Sequence, residues 1–216
     1  MKELTVTSLF IIVSLSSTFA NVLKYVPIAK SGKWPPKFCN KLDCPRYTVL
    51  ETHKEYELRQ YSASSWMSTN TAGVDYSKAS STNFMRLFRY ISGTNTDKKK
   101  IAMTAPVLTM ITPGQGPACE NNFTMSFFMS PEVKTPPTPT EKGVFPQDMP
   151  KMNVYVRSFG GYVTDIKEWI KEAIKLGQAI GDTSKYHTEF SYTAGYDSPF
   201  RFLNRHNEIW FIAKQQ

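Results

Sequence analysis

Fourteen residues, Asp97–Met110 (DKKKIAMTAPVLTM), hold the densest chemistry in the chain: three lysines run directly into an apolar stretch. Met103, Val107 and Met110 add a polarizable, apolar surface beside that positive charge. Such a pairing suits a flat, greasy molecule that ends in carboxylates. The alternative reading is an edge strand blunted by lysines against aggregation. Pro106 lies inside the apolar run and cannot donate to a ladder, which predicts a sheet edge or a bulge there.

The residues able to ligate a metal or act as nucleophiles are sparse. His53, His187 and His206 are dispersed, and Cys44-Pro45 is a two-residue thiolate motif that a disulfide would silence. The sequence contains no G-x-S-x-G elbow, P-loop, Gly-rich dinucleotide fingerprint or H-E-x-x-H helix, so nothing in it points to an enzyme. Its formal net charge of +8 is spread along the chain without a basic arm, which favours small acidic ligands or anionic surfaces over nucleic acid.

The elements that must position these groups follow from periodicity. Extended segments are expected at Tyr47–Leu50, Tyr56–Tyr61 and Ser65–Thr71. A first helix is expected over Ser77–Ser92, with Phe84, Leu87, Phe88 and Ile91 at i, i+3, i+4 and i+7 and Gly93 as its stop. Strand Ile101–Ile111 then turns through Pro-Gly-Gln-Gly-Pro into Phe123–Met129. The proline-rich stretch Pro131–Pro150 reads as a surface loop. A strand at Met152–Arg157 precedes a second helix near Thr164, with Ile166, Ile170, Ala173 and Ile174 as its apolar face. Tyr186–Thr193 and Glu208–Ala213 close the pattern. Both halves read strand, helix, strand, strand, which implies an α+β domain with pseudo-twofold symmetry: a distorted, mostly antiparallel sheet or open barrel with two helices.

With 216 residues the chain suits one domain. Met1–Ala20 reads as a secretory signal peptide, with Lys2, an apolar run and small residues up to Ala20, and nothing later is long and apolar enough to span a membrane. Residues 21–45 read as an N-terminal arm and 46–214 as the folded domain. Export agrees with the glycosylation sequon at Asn122-Phe123-Thr124 and with Cys39, Cys44 and Cys119 in an oxidising compartment. One disulfide is expected, either the local Cys39–Cys44 loop or a staple from one of them to Cys119.

Four ordered pieces resemble the SOUL/heme-binding protein family: Met103–Val107, Val156–Gly161, Tyr192–Pro199 and Asn204–Trp210. The resemblance implies a duplicated βαββ fold shared with bacterial effector-binding domains. It also implies non-catalytic binding of heme or a related tetrapyrrole in an apolar groove beside the first helix, with basic side chains at the propionates. By position it offers Phe84, Phe88 and Arg89 on that helix and Arg201 in the loop after Tyr196-Asp197-Ser198-Pro199, and Met103 of the lysine-to-strand segment joins them as a candidate binding residue. Two positions depart from the family: Gln60 stands where an axial histidine has been proposed, and Ser81 where another branch is basic. Glutamine is a poor iron ligand, so binding without strong axial ligation is expected. A reading of a different class is a secreted interaction protein whose groove takes another amphipathic ligand or a protein partner.

Overall fold

The computed structural model describes residues 34–114, 116 and 120–215. The proposed leader and Cys119 lie outside the described residues. Nine strands form one antiparallel sheet: β1 (Tyr47–Thr52), β2 (Glu57–Tyr61), β3 (Ser64–Gly73), β4 (Val107–Thr112), β5 (Asn121–Phe128), β6 (Val144–Met149), β7 (Met152–Phe159), β8 (Ser191–Gly195) and β9 (Asn207–Ile212). Their order is β1-β2-β7-β9-β8-β4-β5-β3-β6. Two helices, α1 (Tyr76–Ile91) and α2 (Ile166–Ile180), complete the α+β fold. Neither is long and apolar enough to cross a membrane.

The two expected βαββ units are β3-α1-β4-β5 and β7-α2-β8-β9. They meet where β4 pairs with β8, and the pairings on either side match: β5 and β9, then β3 and β7, then β6 and β2. The outermost pair is exchanged. β2, from the first half, pairs with β7, whereas β6, from the second, pairs with β3.

Strand alternation divides the core. Met67, Met125 and Phe127 face α1, where Leu87, Tyr90 and Ile91 are buried. Ile209 and Phe211 face α2 against Trp169, Leu176 and Ile180. On the other side Trp66, Leu108, Phe128 and Trp210 pack with Cys39 and Cys44 of the arm. Among its described residues the arm carries a 3-10 turn, Lys37–Cys39, and the local disulfide Cys39–Cys44. A parallel bridge from Asp43 to Thr104 ties it to the α1–β4 connection.

Both helices begin on an aspartate: Asp75 accepts from the backbone N–H of Lys78, and Asp165 from that of Lys167. Gly93, at φ 118°, reverses the chain after α1, and Gly181, at φ 72°, caps α2.

Several sequence expectations are corrected. Pro106 precedes β4 rather than lying within it, so no ladder donor is lost and β4 sits at the centre of the sheet, not at an edge. The loop expected over Pro131–Pro150 contains β6, an edge strand that tolerates Pro146 because one side of it is unpaired. The strand expected over Tyr186–Thr193 is confined to Ser191–Gly195, with Tyr186 making only an isolated bridge to Ala213. The buried face of α2 is Trp169, Glu172, Leu176 and Ile180, whereas Ile170 and Ile174 are exposed. Glu172 hides that stripe from a hydrophobicity reading. It is buried because Arg157 Nε donates to it at 2.8 Å.

Candidate functional site

The lysine-to-strand segment packs against α1. Ile101 donates its backbone N–H to the carbonyl of Ile91, which seats the connection beside the helix C-terminus. Phe84, Met103 and Val107 are half-buried against one shared cluster, while Lys98, Lys99 and Lys100 are exposed. Phe84 stacks on Phe88 at 5.9 Å and meets Phe127 edge-on at 5.4 Å. Phe84 therefore belongs partly to the core. Phe88, 43% exposed, is the surface ring of the pair. The result is a partly exposed apolar group of Phe84, Phe88, Met103 and Val107, with Arg89 next to Phe88 along α1 and Lys98–Lys100 shortly before Met103 in the chain. Met110 falls on the opposite face of β4, against the arm-side core.

The two arginines are each engaged with a protein carboxylate. Arg89 Nε donates to Glu141 at 3.0 Å, and that hydrogen bond holds the Glu141 carboxyl below its ordinary range. Arg201 Nη1 lies 3.1 Å from Asp197 Oδ1 and also donates to Asn40 of the arm. No described hydrogen bond or ion pair joins the Arg89 cluster to the Arg201 cluster. The larger clefts lie elsewhere. One of about 970 Å³ is lined by Gln60, Tyr56, His53, His187 and Phe190, and another of about 750 Å³ by Arg46, Phe128 and Glu132 among others. None of Phe84, Phe88, Arg89, Met103 and Arg201 lines either one.

The histidines have local partners. His53 Nε2 is 2.9 Å from Glu51, His187 Nδ1 is 3.5 Å from Glu189, and His206 Nε2 is 2.8 Å from Glu208. Gln60 donates to Asn153 at 3.0 Å, and Ser81 is exposed on α1.

The periodic reading missed a buried ionic hub. Glu208 is fully buried and accepts from Arg59 Nη1 at 2.9 Å, Tyr196 OH at 2.7 Å, Trp210 Nε1 at 2.8 Å and His206. Burial pushes its pKa up, but Arg59 and then His206 outweigh it and bring the carboxyl to about 2. Burial raises the Tyr61 and Tyr196 hydroxyls well above the ordinary tyrosine value. Phe38 of the arm stacks on the His206 ring at 4.1 Å and closes the hub. Arg59 and Glu208 lie far apart in sequence on separate strands, so only the place of Glu208 within Asn204–Trp210 hinted at a role.

A family model described as SOUL heme-binding protein matches residues 42–212. The chain belongs to the SOUL family. Similar proteins include heme-binding protein 2 of Homo sapiens, 39% identical over 163 residues that cover 74% of this chain and 79% of the relative. The Mus musculus heme-binding protein 2 is 37% identical over the same extent, and heme-binding protein 1 of Xenopus laevis is 28% identical, covering 73% of this chain and 83% of its own. Among solved structures, the EcmrR C-terminal domain superposes with a TM-score of 0.54 at 12% identity, covering 75% of this chain and 98% of that one. At that identity the likeness concerns the fold alone, and it agrees with the effector-binding-domain architecture expected for a SOUL domain. The relatives' names describe binding rather than catalysis.

Proposed function

We propose that this SOUL protein binds heme or a related tetrapyrrole without catalysing a reaction, on the apolar patch beside α1. The observation that carries this reading is the patch itself. Phe84, Phe88, Met103 and Val107 offer a partly exposed apolar surface backed by core, and Arg89 and Lys98–Lys100 are its neighbours along the chain. A porphyrin has the matching form, a planar apolar body with carboxylates at one side. Arg89 and Arg201 are the proposed propionate contacts, each exchanging its protein carboxylate, Glu141 or Asp197, for a ligand one.

These residues fit the organic part of heme better than its iron. No histidine contributes to the patch, and the three histidines keep carboxylate neighbours of their own. Bound heme would supply iron chemistry, while the protein's part is to bury one face of the ring and hold its propionates. Gln60, standing where an axial histidine has been proposed in the family, donates to Asn153 and lies in a different cleft.

A heme titration followed in the Soret region tests the proposal, with Arg89→Ala, Arg201→Ala and Phe88→Asp run alongside. Saturable one-to-one binding that each substitution weakens is the expected result. A titration indistinguishable from that of an unrelated control protein would refute it. Loss with Arg89→Ala and Phe88→Asp but not with Arg201→Ala would restrict the propionate contact to the α1 side.

A further inference from the structure

The loop between β8 and β9 displays the most exposed aromatic rings among the described residues. Phe200 is 85%, Phe202 73% and Leu203 78% exposed, within four consecutive positions. Soluble surfaces rarely concentrate large apolar side chains in this way without a partner.

The loop is also braced, so its apolar tip is a formed feature. Arg205 Nη1 donates to the carbonyls of Ser198 at 2.7 Å and Arg201 at 2.6 Å, and Nη2 to that of Asp197 at 3.2 Å. Its guanidinium lies 4.5 Å over the Tyr162 ring, which stacks on Phe202 at 6.2 Å. Tyr162 OH reaches the Pro199 carbonyl at 3.3 Å.

The loop's own charged residues are mostly cations, Arg201 and Arg205 against Asp197. The loop's only carboxylate, Asp197, has a side chain 1% exposed and is consumed by Arg201, by Asn40 Nδ2 at 2.8 Å and by the His206 N–H at 2.6 Å. Asn40 fastens the loop to the arm, where Lys37 and Lys41 flank it and are exposed. Exposed aromatic and aliphatic side chains, accompanied by cations on a chain of net charge +8, fit the boundary between headgroups and acyl chains of an anionic bilayer.

We propose that the β8–β9 loop docks the protein peripherally on an anionic membrane surface. Phe200, Phe202 and Leu203 enter the interface, and Lys37 and Lys41 face the headgroups. This surface uses none of Phe84, Phe88, Arg89 and Met103, and Arg201, which the heme reading takes as a propionate contact, is left out of it.

The test is co-sedimentation with vesicles of phosphatidylcholine alone and of phosphatidylcholine with phosphatidylserine. It compares the natural protein with Phe200→Ser/Phe202→Ser/Leu203→Ser and with Lys37→Glu/Lys41→Glu, with near-UV circular dichroism confirming that each variant is folded. Binding to the serine-containing vesicles is expected, reduced at least about tenfold by the triple substitution and lowered by the charge reversal and by salt. Absence of binding to the anionic vesicles, or equal binding by the triple variant, would overturn the proposal. So would a concentration-dependent dimer, dissolved by the triple substitution, from a protein that ignores both vesicle types. Vesicle binding by Phe88→Asp keeps the two sites apart, because a lesion confined to the α1 patch leaves docking unchanged.

Discussion

Replacing Glu208 with glutamine removes one negative charge from a site that is 0% exposed and leaves the side chain's shape nearly intact. The Arg59 guanidinium would keep only Glu57, at 2.7 Å, as its carboxylate partner, and Glu57 is partly solvated. Breaking a buried pair from one side costs about 3–5 kcal/mol. The pH dependence makes the prediction sharper. The carboxyl titrates near 2 in the folded protein, against an ordinary value of 4.5. A group depressed on folding stabilises the native state above its unfolded pKa and loses that contribution as pH falls through its folded one. The shift corresponds to about 3 kcal/mol at pH 7 and roughly 1 kcal/mol at pH 3. Urea unfolding of both proteins at the two pH values is the assay. The variant should be less stable by several kcal/mol at neutral pH, and the gap should narrow by about 2 kcal/mol at pH 3. A gap of the same size at both pH values would refute the assignment of Glu208 as an ionised hub, since a purely steric lesion does not titrate.

Three further outcomes are expected. Glu141→Gln frees Arg89 from its competitor and should tighten heme binding by roughly two- to fivefold, the range of an exposed ion pair; unchanged or weaker affinity in the Soret titration would argue against Arg89 as a propionate contact. Cys39→Ser/Cys44→Ser opens a loop of sequence separation 5 and should cost about 2 kcal/mol in denaturant unfolding. An undiminished midpoint would show that the arm is held by Phe38 and its neighbours alone. Expression in a eukaryotic secretory host should deliver a product that begins near Asn21 and loses mass on deglycosylation, whereas Asn122→Gln should show no such loss. Retention of residues 1–20 by mass spectrometry would disprove the leader, and an unglycosylated product would disprove use of the sequon, whose Asn122 is half-buried in β5.

The helices were legible from local signals, the Phe84–Ile91 stripe ended by Gly93 in the first and regularly spaced apolar residues from Ile166 in the second, and the repeated strand-helix-strand-strand order followed from them. The places where reading failed share a cause, the dominance of a distant partner over local pattern. In α2 the isoleucines at 170 and 174 look like core, yet Trp169 and Leu176 take the sheet-facing side and Arg157 draws Glu172 in with them. β6 carries Pro146 and Asp148 in a proline-rich stretch that reads as loop, and only pairing with β3 makes it a strand. The arm has no period, so its cover over Glu208 could not be foreseen. At the candidate site, Phe84 and Phe88 were visible as a helical stripe, but the carboxylates opposite Arg89 and Arg201 come from a separate loop and from four residues back along the chain.

The exchange of β2 and β6 between the halves bears on what happens if the backbone is cut. A single scission within residues 131–143 would separate β1–β5 and α1 from β6–β9 and α2. Three strand pairings, β2 with β7, β3 with β6 and β4 with β8, would still cross the break. The two pieces would remain together as a noncovalent complex, and a protease nick there would pass unnoticed until denaturant let them drift apart. Their stability would then depend on dilution, as it does for any pair of separate chains. The fold is therefore a candidate for fragment complementation, each piece carrying the strand that its counterpart lacks.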